Sequence, residues 1–121
     1  MKKIAILLIT TLPLLAQAGF IHPMDFDGSE AQKQQVIQYI KERVKHDYCD
    51  GQLDMCQATT LRMMEQQNLD AFKKANQAKE RSIMDRAIKD YCHGGIDMCS
   101  YDTIWMMYQE NLKASNDDLS W

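Results

Sequence analysis

The sequence predicts an all-α protein: two tandem disulfide-stapled helical hairpins that form a four-helix bundle. Three observations predict it. One stretch of ten residues occurs twice, apolar residues recur at helical spacing in four segments, and all four cysteines lie inside the repeated stretch. The first copy reads Asp47-Tyr48-Cys49-Asp50-Gly51-Gln52-Leu53-Asp54-Met55-Cys56 and the second Asp90-Tyr91-Cys92-His93-Gly94-Gly95-Ile96-Asp97-Met98-Cys99, with seven of ten positions identical at an offset of 43 residues. The offset persists outward. Ile40 and Arg43 match Ile83 and Arg86; Met63 and Met64 match Met106 and Met107; Asn68, Leu69 and Ala71 match Asn111, Leu112 and Ala114. Identities this dense at one offset are expected of a duplicated supersecondary unit, here spanning about 37–71 and 80–114 within a helical domain of 29–115.

Taken in order, residues 1–18 read as a secretory signal peptide. Lys2 and Lys3 precede a short apolar run, Ile4–Leu15, and Ala16-Gln17-Ala18 is an A-x-A cleavage site. The run is too short to span a bilayer, so no membrane span is expected in the mature chain, Gly19–Trp121. Residues 19–28 form an N-terminal arm, in which Pro23 and Gly28 oppose regular structure and Phe20, Ile21 and Phe26 are expected to pin the arm to the domain. Asp25-Phe26-Asp27-Gly28 faintly resembles part of a calcium loop, but Pro23 and Gln34 would fall where acidic ligands are needed.

Ser29 with Gln32 makes a capping box for the first helix, along which Val36, Ile37, Ile40, Val44 and Tyr48 form one apolar face. That helix should end near Cys49, before Gly51. Asp54 is expected to cap the second helix, marked by Ala58, Leu61, Met64, Leu69 and Phe72. Apolar periodicity fades across Lys73–Glu80, and Asn76 is the expected break. Ile83, Ala87, Ile88 and Tyr91 mark the third helix and Gly94-Gly95 the next turn. Asp97 is the next expected cap, and Ile104, Met107 and Leu112 mark the fourth helix. Residues 116–121 form a polar tail.

Each Cys-x6-Cys pair spans the end of one helix and the start of the next, within disulfide reach across a tight turn. Cys49–Cys56 and Cys92–Cys99 are the expected pairs, because an ancestral single unit needs a self-contained bridge; an export signal with an even cysteine count points the same way. The spacing is wide for a zinc site and lacks the redox C-x-x-C pattern.

Removing Lys2 and Lys3 leaves 12 Lys+Arg against 17 Asp+Glu, a net charge of −5, which opposes nucleic-acid binding. Basic residues (Lys73, Lys74, Lys79, Arg81) gather between the units, and acids at the two ends (Asp25, Asp27, Glu30; Asp117, Asp118). His22, His46 and His93 are isolated from one another. No nucleophile has a histidine at a recognisable spacing, and no Gly-rich phosphate loop is present. The duplicated Asp47/Asp90 and Asp54/Asp97 suit helix ends better than a carboxylate-pair enzyme. The sequence therefore points away from an enzyme and from any cofactor.

Two binding readings remain. Ala58, Arg62 and Glu65 of the first copy become Tyr101, Trp105 and Tyr108 of the second, at i, i+4 and i+7 of one helix. Aromatic residues of this kind concentrate at binding hot spots, so Tyr101, Trp105 and Tyr108 are the expected contact for another exported or periplasmic protein; packing of that face inside the bundle, or against a second copy in a homodimer, is the equally open use of it. The alternative is a Met-rich periplasmic copper carrier, drawing on Met55, Met63, Met64, Met98, Met106 and Met107, whose soft thioethers suit Cu(I). In size, export signal and helical content the chain resembles small periplasmic immunity or inhibitor proteins, a likeness that no motif carries.

Overall fold

The computed structural model describes residues 19–51 and 54–121; the Met1–Ala18 leader lies outside the described residues. The regular structure of the described chain is all helical. A single 3-10 turn (Pro23–Asp25) precedes α1 (Glu30–Cys49), α2 (Ala58–Asn76), α3 (Arg81–Cys92) and α4 (Tyr101–Asn116), and no strand occurs among the described residues. Both expected disulfides are present, Cys49–Cys56 and Cys92–Cys99, with Cα atoms 4.7 and 4.5 Å apart. Each bridge ties the last residue of one helix to the extended lead-in of the next.

Local chemistry sets the helix ends. At α1 the Ser29 hydroxyl accepts from the Gln32 N–H at 3.2 Å. Gln32 reaches two residues further back than a simple capping box would, accepting from the Asp27 N–H at 2.9 Å. Gly28, at φ +79°, supplies the left-handed turn into the helix. The expected caps at Asp54 and Asp97 are corrected: the N-cap residues are Gln57 and Ser100. The cause is the disulfide, which holds residues 54–57 and 97–100 out of the helix and frees Asp97 for another partner. The break after Asn76 is where the sequence puts it. The Asn76 amide donates to the Pro23 carbonyl at 2.8 Å, and the Glu80 N–H donates to the Tyr108 hydroxyl at 3.3 Å, so arm and α4 together take up the polar groups of the α2–α3 connection.

Helix α1 packs on α2, α2 on α4, and α3 on α4, which places α1 and α3 at the outside. α2 and α4 lie side by side in the same sense: Asn68 meets the first turn of α4, and the connection at Glu80 meets Tyr108. Two apolar clusters result. Val36, Ile40 and Val44 of α1 join Ala71, Phe72 and Tyr101 in one; Ala75, Met84, Ala87, Ile88, Ile104 and Tyr108 form the other. Phe20 packs on both, so the arm is part of the core rather than an appendage. Arg81 grips Asp25 with two hydrogen bonds of 2.6 and 2.9 Å, and His22 Nε2 lies 2.7 Å from Asp85, fastening the arm to α3.

Tyr101 is 1% exposed, and its ring lies 4.8 Å from Phe72 and 5.1 Å from Phe20 between centroids. Its hydroxyl donates to the Ile21 carbonyl at 3.0 Å and accepts from the Ile21 N–H at 3.1 Å. Removing the oxygen leaves two buried backbone groups unpaired, which costs about 1–3 kcal/mol. Tyr101→Phe is therefore expected to lower the urea midpoint with little change in slope and to speed proteolysis of the arm. An unchanged midpoint would show that the arm is not held through this hydroxyl.

Candidate functional site

The two disulfide turns are built alike. The Met55 N–H donates to the Tyr48 carbonyl at 3.3 Å, and the Met98 N–H to the Tyr91 carbonyl at 3.2 Å. In the second turn a Cβ on Gly94 would lie 2.5 Å from the Asp90 carbonyl oxygen, so only glycine permits that approach.

The surroundings of the turns differ. Arg43 of α1 is only 12% exposed and spreads its guanidinium over three acceptors: Asp97 Oδ1 at 2.6 Å, the Asp97 carbonyl at 2.8 Å, and Asp47 at 3.1 Å. His46 Nε2 lies 3.4 Å from Asp97 Oδ2. Tyr39 donates its hydroxyl to the Cys99 carbonyl, and burial pushes that hydroxyl up to about 12. Helix α1 is thus clamped to the turn of the other unit. Arg86, the counterpart of Arg43, only pairs with Asp90 one turn along its own helix and is 70% exposed.

The first turn of α4 is completed from α2. Asn68, 4% exposed, accepts from the Asp102 N–H at 3.2 Å and donates to the Met64 carbonyl at 2.9 Å. The Ser100 hydroxyl instead bonds Asp102 and Thr103. This cross-helix cap fixes how α4 lies against α2 and leaves an open groove of about 700 Å³ between them. Half-buried Trp105 lines the groove, and Met63 of α2 and Met106 of α4 stand 60% and 53% exposed along it. Gln66, Gln67, Asp70, Lys74 and Gln109 supply hydrogen-bonding groups. A second hollow of about 550 Å³ continues past Trp105 to Tyr108, Leu112 and the Gln77–Glu80 connection.

The expected aromatic face is corrected by this arrangement. Tyr101 and Tyr108 are 1% and 4% exposed and belong to the two core clusters, because α4 turns that face onto α2, α3 and the arm. Only Trp105 reaches the surface, stacked on Tyr108 with centroids 5.5 Å apart. The methionine pairs split as successive helical positions must. Met64 and Met107 turn toward the clusters, Met63 and Met106 toward the groove, while Met55 and Met98 sit exposed on the two turns. The six methionines therefore do not converge on one point. No group of three or more His, Cys, Asp or Glu placed to hold a metal ion occurs among the described residues. Sequence reasoning did not bring Met63 and Met106 together with Gln66 and Gln67 as the lining of one groove; the run of amides on α2 was the available signal. Comparison with family models, characterised proteins and solved structures returns no match.

The Arg43 clamp has a pH signature. Its hydrogen bond holds the Asp97 carboxyl below its ordinary value of 3.8. A folded-state value lowered in this way contributes stability that is present above the ordinary value and lost as pH falls through the lowered one. Acid unfolding monitored by circular dichroism is expected to steepen below pH 3.8 in the wild type and to be shallower there in Arg43→Met. Equal acid slopes in the two proteins would remove the clamp as a source of acid sensitivity.

Proposed function

We propose that this is an exported, non-enzymatic binding protein that acts by occupying a surface of another protein, as an inhibitor or immunity protein does. The binding surface is the α2–α4 groove around Trp105. Export to the periplasm is supported by the Lys2/Lys3 leader with its Ala16-Gln17-Ala18 site, and the two disulfides fit a non-cytoplasmic, oxidising compartment.

The observation that carries the reading is the groove itself. A half-buried tryptophan lies beside two well-exposed methionines, on helices fixed against each other by Asn68 and each stapled by a disulfide to the helix before it. An aromatic anchor gives contact area at low entropic cost, methionine adapts to a partner's shape, and a preformed framework lowers the ordering cost of association. Gln66, Gln67 and Gln109 add neutral hydrogen-bonding partners of the kind found at interface rims.

The test uses mature protein, Gly19–Trp121, as bait in periplasmic extract. Trp105→Ala alone decides little, because Trp105 also packs on both core clusters. Met63→Glu with Met106→Glu changes only exposed groove positions and is expected to reduce capture of a specific partner at least about tenfold with an unchanged melting temperature. Full capture by that variant would move the binding surface elsewhere. The second reading, a soft-metal carrier, is favoured only by Met63 and Met106 sharing one groove. Stoichiometric Cu(I) binding to the disulfide-intact protein, lost on Met63→Leu or Met106→Leu, would put that reading first.

A further inference from the structure

The least covered apolar side chains of the described chain lie beyond α4. Leu119 is 98% exposed and Trp121 fully so. Asp117 leaves the helix in extended backbone, φ −96° and ψ 148°, and the residues after it carry no regular structure. Asp117-Asp118-Leu119-Ser120-Trp121 thus joins two carboxylates to two apolar side chains. In an extended segment Leu119 and Trp121, two residues apart, project to the same side.

The molecule carries a surface of matching chemistry on its other side. Along the α1–α2 seam, two adjoining hollows of about 280 and 360 Å³ share Ile37 and Leu69, with Phe26 and Phe72 extending the apolar floor. The edge is basic: Lys41 lines one hollow, and Lys33 and Lys73 the other. Arg62 is already paired with Glu65 at 2.6 Å and Lys33 with Glu30 at 3.1 Å. Lys41 and Lys73 form no ion pair among the described residues. The α2–α4 groove has no such bias, since Asp70 and Asp102 offset Lys74 there.

We infer that residues 117–121 of one copy dock into the α1–α2 slot of a second copy, with Leu119 and Trp121 on the Ile37–Leu69 floor and Asp117 and Asp118 against Lys41 and Lys73. Geometry rules out the copy's own slot. Lys74, next to Lys73, shares the groove with Trp105, so the slot lies level with Trp105 on the far side of α2. Asn116 lies eleven residues further along α4, about 16 Å at helical rise. A five-residue extension spans at most about 17 Å, which leaves nothing to double back and cross α2. The contact is heterologous: the surfaces that meet are different, and pairs form by exchanging tails or rows by passing them on. It uses a different face from the α2–α4 groove and does not depend on that groove's role.

Sedimentation velocity on the mature protein across a concentration series reads the association directly. The expected result is reversible self-association with a dissociation constant on the order of 10–100 µM, weakened by salt. Leu119→Ser with Trp121→Ser is expected to stay monomeric with an unchanged melting temperature, since both side chains lie outside the packed clusters. Lys41→Glu with Lys73→Glu is expected to weaken association at least about tenfold, and adding Asp117→Lys and Asp118→Lys to that variant to restore it. A wild type that stays monomeric throughout overturns the inference. So does a tail variant that associates like the wild type, or a Lys41/Lys73 variant that does.

Discussion

The fold depends on the burial of one tyrosine. Tyr101 is the first residue of α4, and its ring touches Phe20 of the arm, Tyr39 of α1 and Phe72 of α2. A buried phenol needs a hydrogen-bonding partner, and no helix can offer its own paired backbone. The arm can, because Ile21 lies outside any helix and turns both its N–H and its carbonyl to the Tyr101 hydroxyl. That exchange places Phe20 between the two clusters and brings His22 and Asp25 over α3. A domain of this size buries a limited fraction of its surface, and here ten residues before α1 supply apolar cover that four short helices lack. Burial also pushes the Tyr101 hydroxyl well above the ordinary tyrosine range, so the group stays a donor at any physiological pH.

The groove follows from the same placement. With Tyr101 and Tyr108 turned inward, α4 must rest its first turn on α2, and the polar groups of that turn need partners away from water. Asn68 serves as a cap delivered by a neighbouring helix, which fixes both the distance and the stagger of α2 and α4. Trp105, between the two tyrosines in sequence, is then left with one face on the core and one toward solvent. Its partial exposure is a consequence of how the pair of helices is locked.

Much of this was legible in the sequence. Spacing placed Val36, Ile40 and Val44 on one buried face, fading periodicity marked the break at Asn76, residue type marked the Ser29 cap, and the duplication favoured the two disulfides that form. The arm's role was legible from Phe20, Ile21 and Phe26 in a segment otherwise poor in structure. The error at Tyr101 and Tyr108 has a definite origin. Ala58, Arg62 and Glu65 of the first unit suggested that the matching face of the second was outward. The second helices of the two units do not bury matching residues. α2 buries its second half, Asn68, Ala71, Phe72 and Ala75, whereas α4 buries its first half, Tyr101, Ile104 and Tyr108. The two helices run in the same sense with a stagger, so equivalent positions are not opposite one another. Sequence likeness reports the local fold of each unit and is silent on how one is set against the other.

The contrast between the two arginines carries that point to the motif itself. Arg43 and Arg86 occupy matching positions of the repeat, yet one is largely covered in a clamp on Asp97 and the other is solvated on its own helix. Asp97 meets an arginine from the other unit, and Asp54 is exposed with no ion-pair partner among the described residues. His46 lies between Asp47 and Asp97, while its positional counterpart in α3 is Lys89. The charged members of the repeat therefore serve different ends in its two copies. What the copies share is the closure: the carbonyl of the tyrosine just before the first cysteine accepts from the N–H of the methionine just before the second, and a disulfide joins the two cysteines. Closing an eight-residue loop removes conformational freedom worth about 2.5 kcal/mol in the chain-entropy account, a large share of the stability of a domain this small. Identity between the copies is concentrated where that closure is made, and divergence where each unit meets its own neighbours, as expected if the repeated stretch acts as a staple rather than as a site.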